Sequence, residues 1–193
     1  AALRDGLKDT DLNVARAAAE GLTAIDGKDH TGEMPSAAAA PFPLHMDEIK
    51  GLTARQVRLV TRRGDVIFDL FPGAAPNTVA NFVKLAAGGY FNGLNIHRVV
   101  PGFVTQDGDP RGDGWGGPGY AIRCEYNDLH YETGTVGMAL SGKDTGGSQY
   151  FITHAPQPHL DGKYTIFGKV TSGMDVIARL ARGDKIEKVE LLP

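Results

Sequence analysis

From residue 55 onward the chain is cut into short runs of β-branched and alternating residues: VRLVT, VIFDLF, LNIHRVV, FVTQ, TVGMAL, YFIT, TIFGKV and IEKVELL. Glycines and turn-forming residues separate them, so each run reads as one strand. Strands that follow one another through tight turns pair antiparallel, and eight of them can close into a barrel that leaves no exposed edge. Two helical patterns interrupt the series. One is NTVANFVKLAA, behind Pro76 and ended by Gly88 and Gly89, and the other is GMDVIARLAR, ended by Gly183. The expected fold class is mainly β: a closed eight-stranded antiparallel β-barrel with two capping helices, preceded by a helical N-terminal extension.

That extension spans residues 1–26. In LNVARAAAEGLTAI, Val14, Ala17, Ala18, Leu22 and Ile25 recur at helical spacing behind Asp9, Thr10 and Asp11, which suit the start of a helix. Together with Leu3 and Leu7, the stretch resembles the second half of a HEAT-type helical repeat. Such repeats need about three units to be stable, so a single one must pack on the main domain or be the remnant of a longer array. The chain opens without a methionine, in mid-pattern, as a fragment or processed form would. Residues 27–54 turn to Gly, Pro, Ala and Ser without a sustained period and are expected to form a linker or a docked strap, with Phe42, Leu44 and Met46 as its anchors. Residues 55–193 form the main domain.

With 193 residues, 41% of them hydrophobic, the chain can fill one good-sized core. Twenty Lys and Arg against 23 Asp and Glu give a net charge of −3, so no global basic field exists to gather nucleic acid. No run of about 18 apolar residues is present to span a membrane, and no charged-then-apolar order marks a signal peptide. A soluble protein of the cytoplasm or periplasm is expected. Cys124 is the only cysteine, which excludes an intrachain disulfide and a multi-cysteine zinc site. Heptads are absent, and a monomer is the default.

Arg98 is the residue that asks for an explanation. It falls inside a β-branched run, on the strand face expected to carry Ile96 and Val100. A guanidinium there either reaches a rim carboxylate or serves as a positioned donor beside an apolar pocket. Phe103 and Gln106 follow the Pro101-Gly102 turn, so an aromatic ring and an amide return close to the arginine.

The segments FVKLAAGGYFNGLNIHRVVPGFVTQDGD, GSQYFIT and HLDGKYTIFGKV are similar to the signature stretches of the cyclophilins, peptidyl-prolyl cis-trans isomerases built on an eight-stranded barrel. The resemblance covers roughly residues 55–193. It implies that Arg98 is the catalytic arginine, with the Gln106 amide beside it. It places Phe103 at the floor of a proline pocket, Phe151 as a second pocket aromatic and Leu160 as an aliphatic wall. Val104 stands where the family usually has Met, which loosens one wall without changing its polarity. Gln149 and Ala139 fall where the family contacts the residue before proline, and Leu140 replaces an Asn whose main chain holds the peptide. Tyr164 stands in place of a frequent His. His159 stands in place of the Trp of cyclosporin-sensitive members, so weak cyclosporin binding is expected. The implied partners are proline-containing peptides and unfolded polypeptides, with no cofactor. A non-catalytic proline-peptide binding module on a HEAT-type scaffold is the alternative.

Other motifs carry less. GDGWGG matches the spacing of a dinucleotide-binding loop, but no parallel strand leads into it and no helix follows, so a flexible loop bearing Trp115 is expected. Asp107, Asp109 and Asp113 begin like a calcium loop, yet Arg111 and Pro118 occupy ligand positions. His154, His159 and Asp161 lie in a Pro-rich loop and read as solvent-exposed. His97 is expected to be a hydrogen-bonded structural residue, and neither Ser141 nor Ser148 sits in a nucleophile elbow.

Overall fold

Alternate burial shows why the strands form where they do. In β1 (Gln56–Thr61) every second side chain is buried, and β2 (Gly64–Leu70) turns Val66, Phe68 and Leu70 inward. The computed structural model describes residues 2–9, 12–34 and 54–193. Six further strands follow: β3 (Arg98–Val100), β4 (Val104–Asp107), β5 (Thr135–Met138), β6 (Tyr150–Thr153), β7 (Ile166–Ser172) and β8 (Ile186–Leu192). Their order in the sheet is β3-β4-β6-β5-β7-β2-β1-β8, with every neighbouring pair antiparallel.

The sheet curls, but it is not the closed barrel expected from the sequence. β3 and β8, at its two ends, share no ladder. A single bridge, Asn95 to Lys185, and four main-chain hydrogen bonds of 2.7–3.0 Å between residues 93–96 and 183–186 tie this seam. The cause lies in the LNIHRVV run, where only Arg98, Val99 and Val100 pair in a ladder, too short a strand to run along the seven residues of β8. The late start of β3 also separates Ile96 from Arg98: Ile96 is buried in the core while Arg98 faces solvent, so they do not share one strand face.

Four α-helices are present among the described residues: α1 (Ala2–Gly6), α2 (Leu12–Asp26), α3 (Pro76–Ala87) and α4 (Met174–Arg179). α4 stops short of the expected Gly183 because Leu180 is already extended, at φ −65° and ψ 142°. Pro76 begins α3, and the Glu125 carboxylate sits at its N-terminus, accepting the N–H groups of Asn77 and Thr78 at 3.0 and 2.7 Å. α3 drives Phe82 into the core, where the ring stacks on Phe91 at 4.8 Å and meets Phe68, Tyr150 and Phe167 within 5.8 Å.

The extension has its own small seam of Leu7, Ala18, Ala19 and Leu22, with Met34 packed on it, whereas Ile25 is 73% exposed. His30 closes it: one ring nitrogen meets Glu33 at 2.6 Å and the other Asp26 at 3.0 Å, and these carboxylates hold its pKa above the usual value. Asp9 approaches Arg111 of the main domain at 3.9 Å. The proposed cap residues Thr10 and Asp11 and the anchors Phe42, Leu44 and Met46 lie outside the described residues.

β5 and β6 are buried on both faces. Val136, Met138, Tyr150 and Ile152 point into the main core, while Phe151 joins a second cluster with Val104, Tyr131, Leu160 and Ile166 on the outer face. β4 alternates in the same way, and Asp107, opposite Tyr150, therefore enters the core. Burial pushes its carboxyl up to about 6; the Gly108 N–H and Tyr150 hydroxyl favour the charged form, but neither meets the carboxyl at good hydrogen-bond geometry. The folded state thus binds this proton more tightly than an unfolded aspartate does, and stability falls as pH rises from about 4 through about 6, by about 3 kcal/mol in total. Asp107→Asn is expected to raise stability at pH 7.5 by up to that amount and to flatten this pH window. Urea unfolding at pH 4.5 and 7.5 checks it.

Candidate active site

The pairing of β3 with β4 puts Arg98 directly opposite Gln106, and the pairing of β4 with β6 puts Gln106 opposite Phe151. From this register a line of side-chain hydrogen bonds follows. Arg98 Nη1 donates to Gln106 Oε1 at 3.1 Å, and Gln106 Nε2 donates to Gln149 Oε1 at 2.9 Å. Gln149 Nε2 in turn donates to the carbonyls of Gly114 and Gly116 at 3.0 and 2.9 Å. Gly108 permits the close approach that aligns these amides: at φ +91°, a Cβ there would sit 2.9 Å from the Ser148 carbonyl carbon. Among the described residues no carboxylate pairs with Arg98. Its guanidinium instead lies 5.5 Å from the centre of the Phe103 ring.

Beside this line opens a cleft of about 200 Å³ lined by Arg98, Phe103, Val104, Gln106, Ala139, Leu140, Phe151, Leu160 and Tyr164. Val104, Phe151 and Leu160 are buried and form an apolar floor. Phe151 meets Tyr164 edge to face at 5.8 Å. Leu160 stands on a 3₁₀ turn, Pro158–Leu160, whose next residue Asp161 accepts the Tyr131 N–H and meets the His130 ring, each at 2.8 Å. Nine of the residues singled out from the sequence thus converge on one cleft. The other two stand at its rim: Gln149 in the hydrogen-bond line, and His159 stacked on Phe103 at 5.7 Å. Such an apolar hollow, with a guanidinium and an amide along one edge, has the size and character to take a small apolar group beside polar side chains.

The family sequence model described as "Cyclophilin type peptidyl-prolyl cis-trans isomerase/CLD" matches residues 56–192. The chain belongs to this family. Peptidyl-prolyl cis-trans isomerase B of Bacillus subtilis (strain 168) is 56% identical over 126 residues, covering 64% of this chain and 88% of that protein. A peptidyl-prolyl cis-trans isomerase of Synechococcus elongatus is 50% identical over 139 residues, 71% of this chain and 96% of the relative. Among solved structures, a cyclophilin type isomerase of Cryptosporidium parvum aligns with a TM-score of 0.68 at 32% identity, covering 72% of this chain and 98% of its own. The protein is a cyclophilin-type peptidyl-prolyl cis-trans isomerase.

The surroundings of this cyclophilin's cleft correct several expectations. The glycine-rich loop is tethered rather than flexible: Asp109 accepts the N–H groups of Arg111 and Gly114, and Asp113 accepts that of Trp115 and bonds the Arg111 guanidinium. The loop carboxylates are engaged in holding backbone, and Asp107 points away from them. His154 is half-buried, with its ring bonded to Thr105 Oγ1 at 2.7 Å and its pKa lowered by burial. His97 is buried, but neither ring nitrogen has a hydrogen-bond partner among the described residues, and burial lowers its pKa.

Sequence reasoning missed Tyr131 and Gly137. Tyr131 stacks behind Phe151 at 5.5 Å, so the ring lining the cleft is held between two tyrosines. Gly137 lies opposite Phe151 in the ladder, and a Cβ there would stand 2.7 Å from Phe151 Cζ and overlap the Tyr131 hydroxyl. Only the missing side chain signals this contact in the sequence. Gly137→Ala is expected to destabilise the domain by about 1–3 kcal/mol through overpacking. Thermal unfolding, with the Phe151 ring resonances as a local report, checks it.

Proposed function

We propose that this isomerase accepts extended Xaa-Pro segments of peptides and unfolded chains, with the proline ring against Phe103, Phe151 and Leu160 and Arg98 as the catalytic residue. The prolyl amide resists rotation because resonance gives its C–N bond double-bond character, a barrier of about 18–20 kcal/mol. Twisting localises the lone pair on the prolyl nitrogen. A guanidinium that bonds better to the twisted amide than to either planar isomer lowers the barrier by differential binding. Supplying about 7 kcal/mol in this way accelerates rotation about 10⁵-fold. No covalent step is involved.

The observation that carries the assignment is the bond from Arg98 to Gln106, continued to Gln149, with no carboxylate neutralising the arginine among the described residues. Gln106 holds the guanidinium in place before substrate arrives, and a preorganised donor acts without reorganisation. Gln149, Ala139 and the main chain at Leu140 hold the residue before proline, so rotation occurs about one bond. Residues 55–193 form the isomerase domain in this account, and residues 1–26 a helical appendage with a seam of its own.

Arg98→Ala is expected to lower kcat/KM for an Xaa-Pro peptide by about 10²–10³-fold, while Kd changes by no more than about threefold. Protease-coupled isomerisation alongside peptide titration checks both. Equal losses would instead identify a proline-binding module in which turnover is incidental. His159→Trp adds an indole donor and apolar area at the rim and is expected to tighten cyclosporin binding about threefold to tenfold by calorimetry.

A further inference from the structure

Asp107 and Tyr150 face each other across the β4–β6 ladder, both buried in the core. Among the described residues, neither the Asp107 carboxyl oxygens nor the Tyr150 hydroxyl has a well-formed hydrogen bond. Each is the chain neighbour of a member of the hydrogen-bond line that begins at Arg98: Asp107 follows Gln106, and Tyr150 follows Gln149. The inner pair and the outer pair therefore share two stretches of backbone, and a further contact fastens those stretches together. Gly108 lies so close to Ser148 that a Cβ there would stand 2.9 Å from the Ser148 carbonyl carbon, and the Ser148 hydroxyl donates to the Gly108 carbonyl at 2.6 Å.

The two forms of the Asp107 carboxyl ask different things of this backbone. In a core that presents no aligned donor, a neutral carboxyl costs far less than a charged one. A carboxylate must draw in the donors nearest it, the Tyr150 hydroxyl and the Gly108 N–H. Both belong to segments that carry the line, and Gly108 cannot shift without taking Ser148, and with it Gln149, along. The titratable groups that act on Asp107 are Tyr150, from β6, and Asp109, from the loop after β4, whose like charge opposes ionisation. Phe82 of α3 and Phe91 pack their rings on Tyr150, and His97, ahead of β3, lies in the field of Asp109.

We propose that Asp107 and Tyr150 are a positioning pair behind the active site: a proton on Asp107 keeps Gln106 and Gln149 aligned with Arg98, and loss of that proton pulls them out of line. The inference deepens the assignment of Arg98 and Gln106 to catalysis and rests on it. Burial places the change near pH 6, so the ionisation that costs the fold stability also lowers turnover as pH rises.

Exchange NMR with the full chain and an Xaa-Pro peptide free of titratable side chains, from about pH 5 to about pH 7.5, reads turnover without a coupling protease. The native chain is expected to lose about twofold to fivefold in kcat/KM across that range, with an inflection near pH 6. Asp107→Asn, which keeps the shape of the neutral acid, is expected to hold the low-pH activity throughout. Tyr150→Phe removes a group that favours the carboxylate and is expected to move the inflection to higher pH. A flat native profile, an inflection that survives in Asp107→Asn, one that moves down in Tyr150→Phe, or one that vanishes in His97→Gln would overturn the proposal. The side-chain amide resonances of Gln106 and Gln149 give a readout independent of turnover. They are expected to titrate near pH 6 in the native chain and to stay still in Asp107→Asn; amides that ignore pH in the native chain contradict the pair. A chain that turned over no peptide at any pH would sink the isomerase account, while the amide titration would still decide the pair.

Discussion

The antiparallel register of β4 on β6 is the constraint on which the site depends. It sends Gln106 and Phe151 to the outer face and Asp107 and Tyr150 into the core. A slip of one residue would exchange these sets, burying an amide among aromatics and turning a core tyrosine to solvent. The register is fixed from both sides, because Phe82 and Phe91 pack on Tyr150 within while Tyr131 and Tyr164 pack on Phe151 without. Strands that work on two faces have no freedom to shift, and the cleft inherits their rigidity.

Function uses that rigidity to hold groups that would otherwise wander. An arginine side chain is costly to order and a glycine-rich loop more so. Here both are ends of one hydrogen-bond line whose middle members, Gln106 and Gln149, are anchored at adjacent strands. Asp109 and Asp113 complete the tethering from within the loop, and the helical extension reaches the same loop through Asp9 and Arg111. Asp107 is the counterexample, a carboxyl that weakens the fold at neutral pH and sits one residue from Gln106.

Much of this is legible in the sequence because strand periodicity and turn residues are local signals. All eight runs become strands, and both helices of the main domain form where Pro76 and the GMDVIARLAR pattern place them. Arg98 draws attention because a charge within a β-branched run is unusual, and the strings around it carry the family. What is not legible depends on partners distant in the chain. The seam between β3 and β8 is decided by how far each strand can be matched, and a three-residue β3 leaves it without a ladder. The buried His97, whose ring has no hydrogen-bond partner among the described residues, and the core-facing Asp107 follow from register, which their neighbours in sequence do not reveal. Tyr131 and Gly137 support Phe151 from another strand and loop, and one of them acts by having no side chain.

In the proposed mechanism a preorganised guanidinium beside an apolar hollow lowers the barrier to prolyl rotation. Two-dimensional exchange NMR of a short Xaa-Pro peptide, with the native chain at substoichiometric concentration, tests it without a coupling protease. Uncatalysed interconversion takes tens to hundreds of seconds, so cross-peaks between cis and trans resonances at a mixing time of about 0.1 s are the predicted result. Peptide resonances that shift on binding while no cross-peaks appear would contradict it, leaving a cleft that grips proline without turning it.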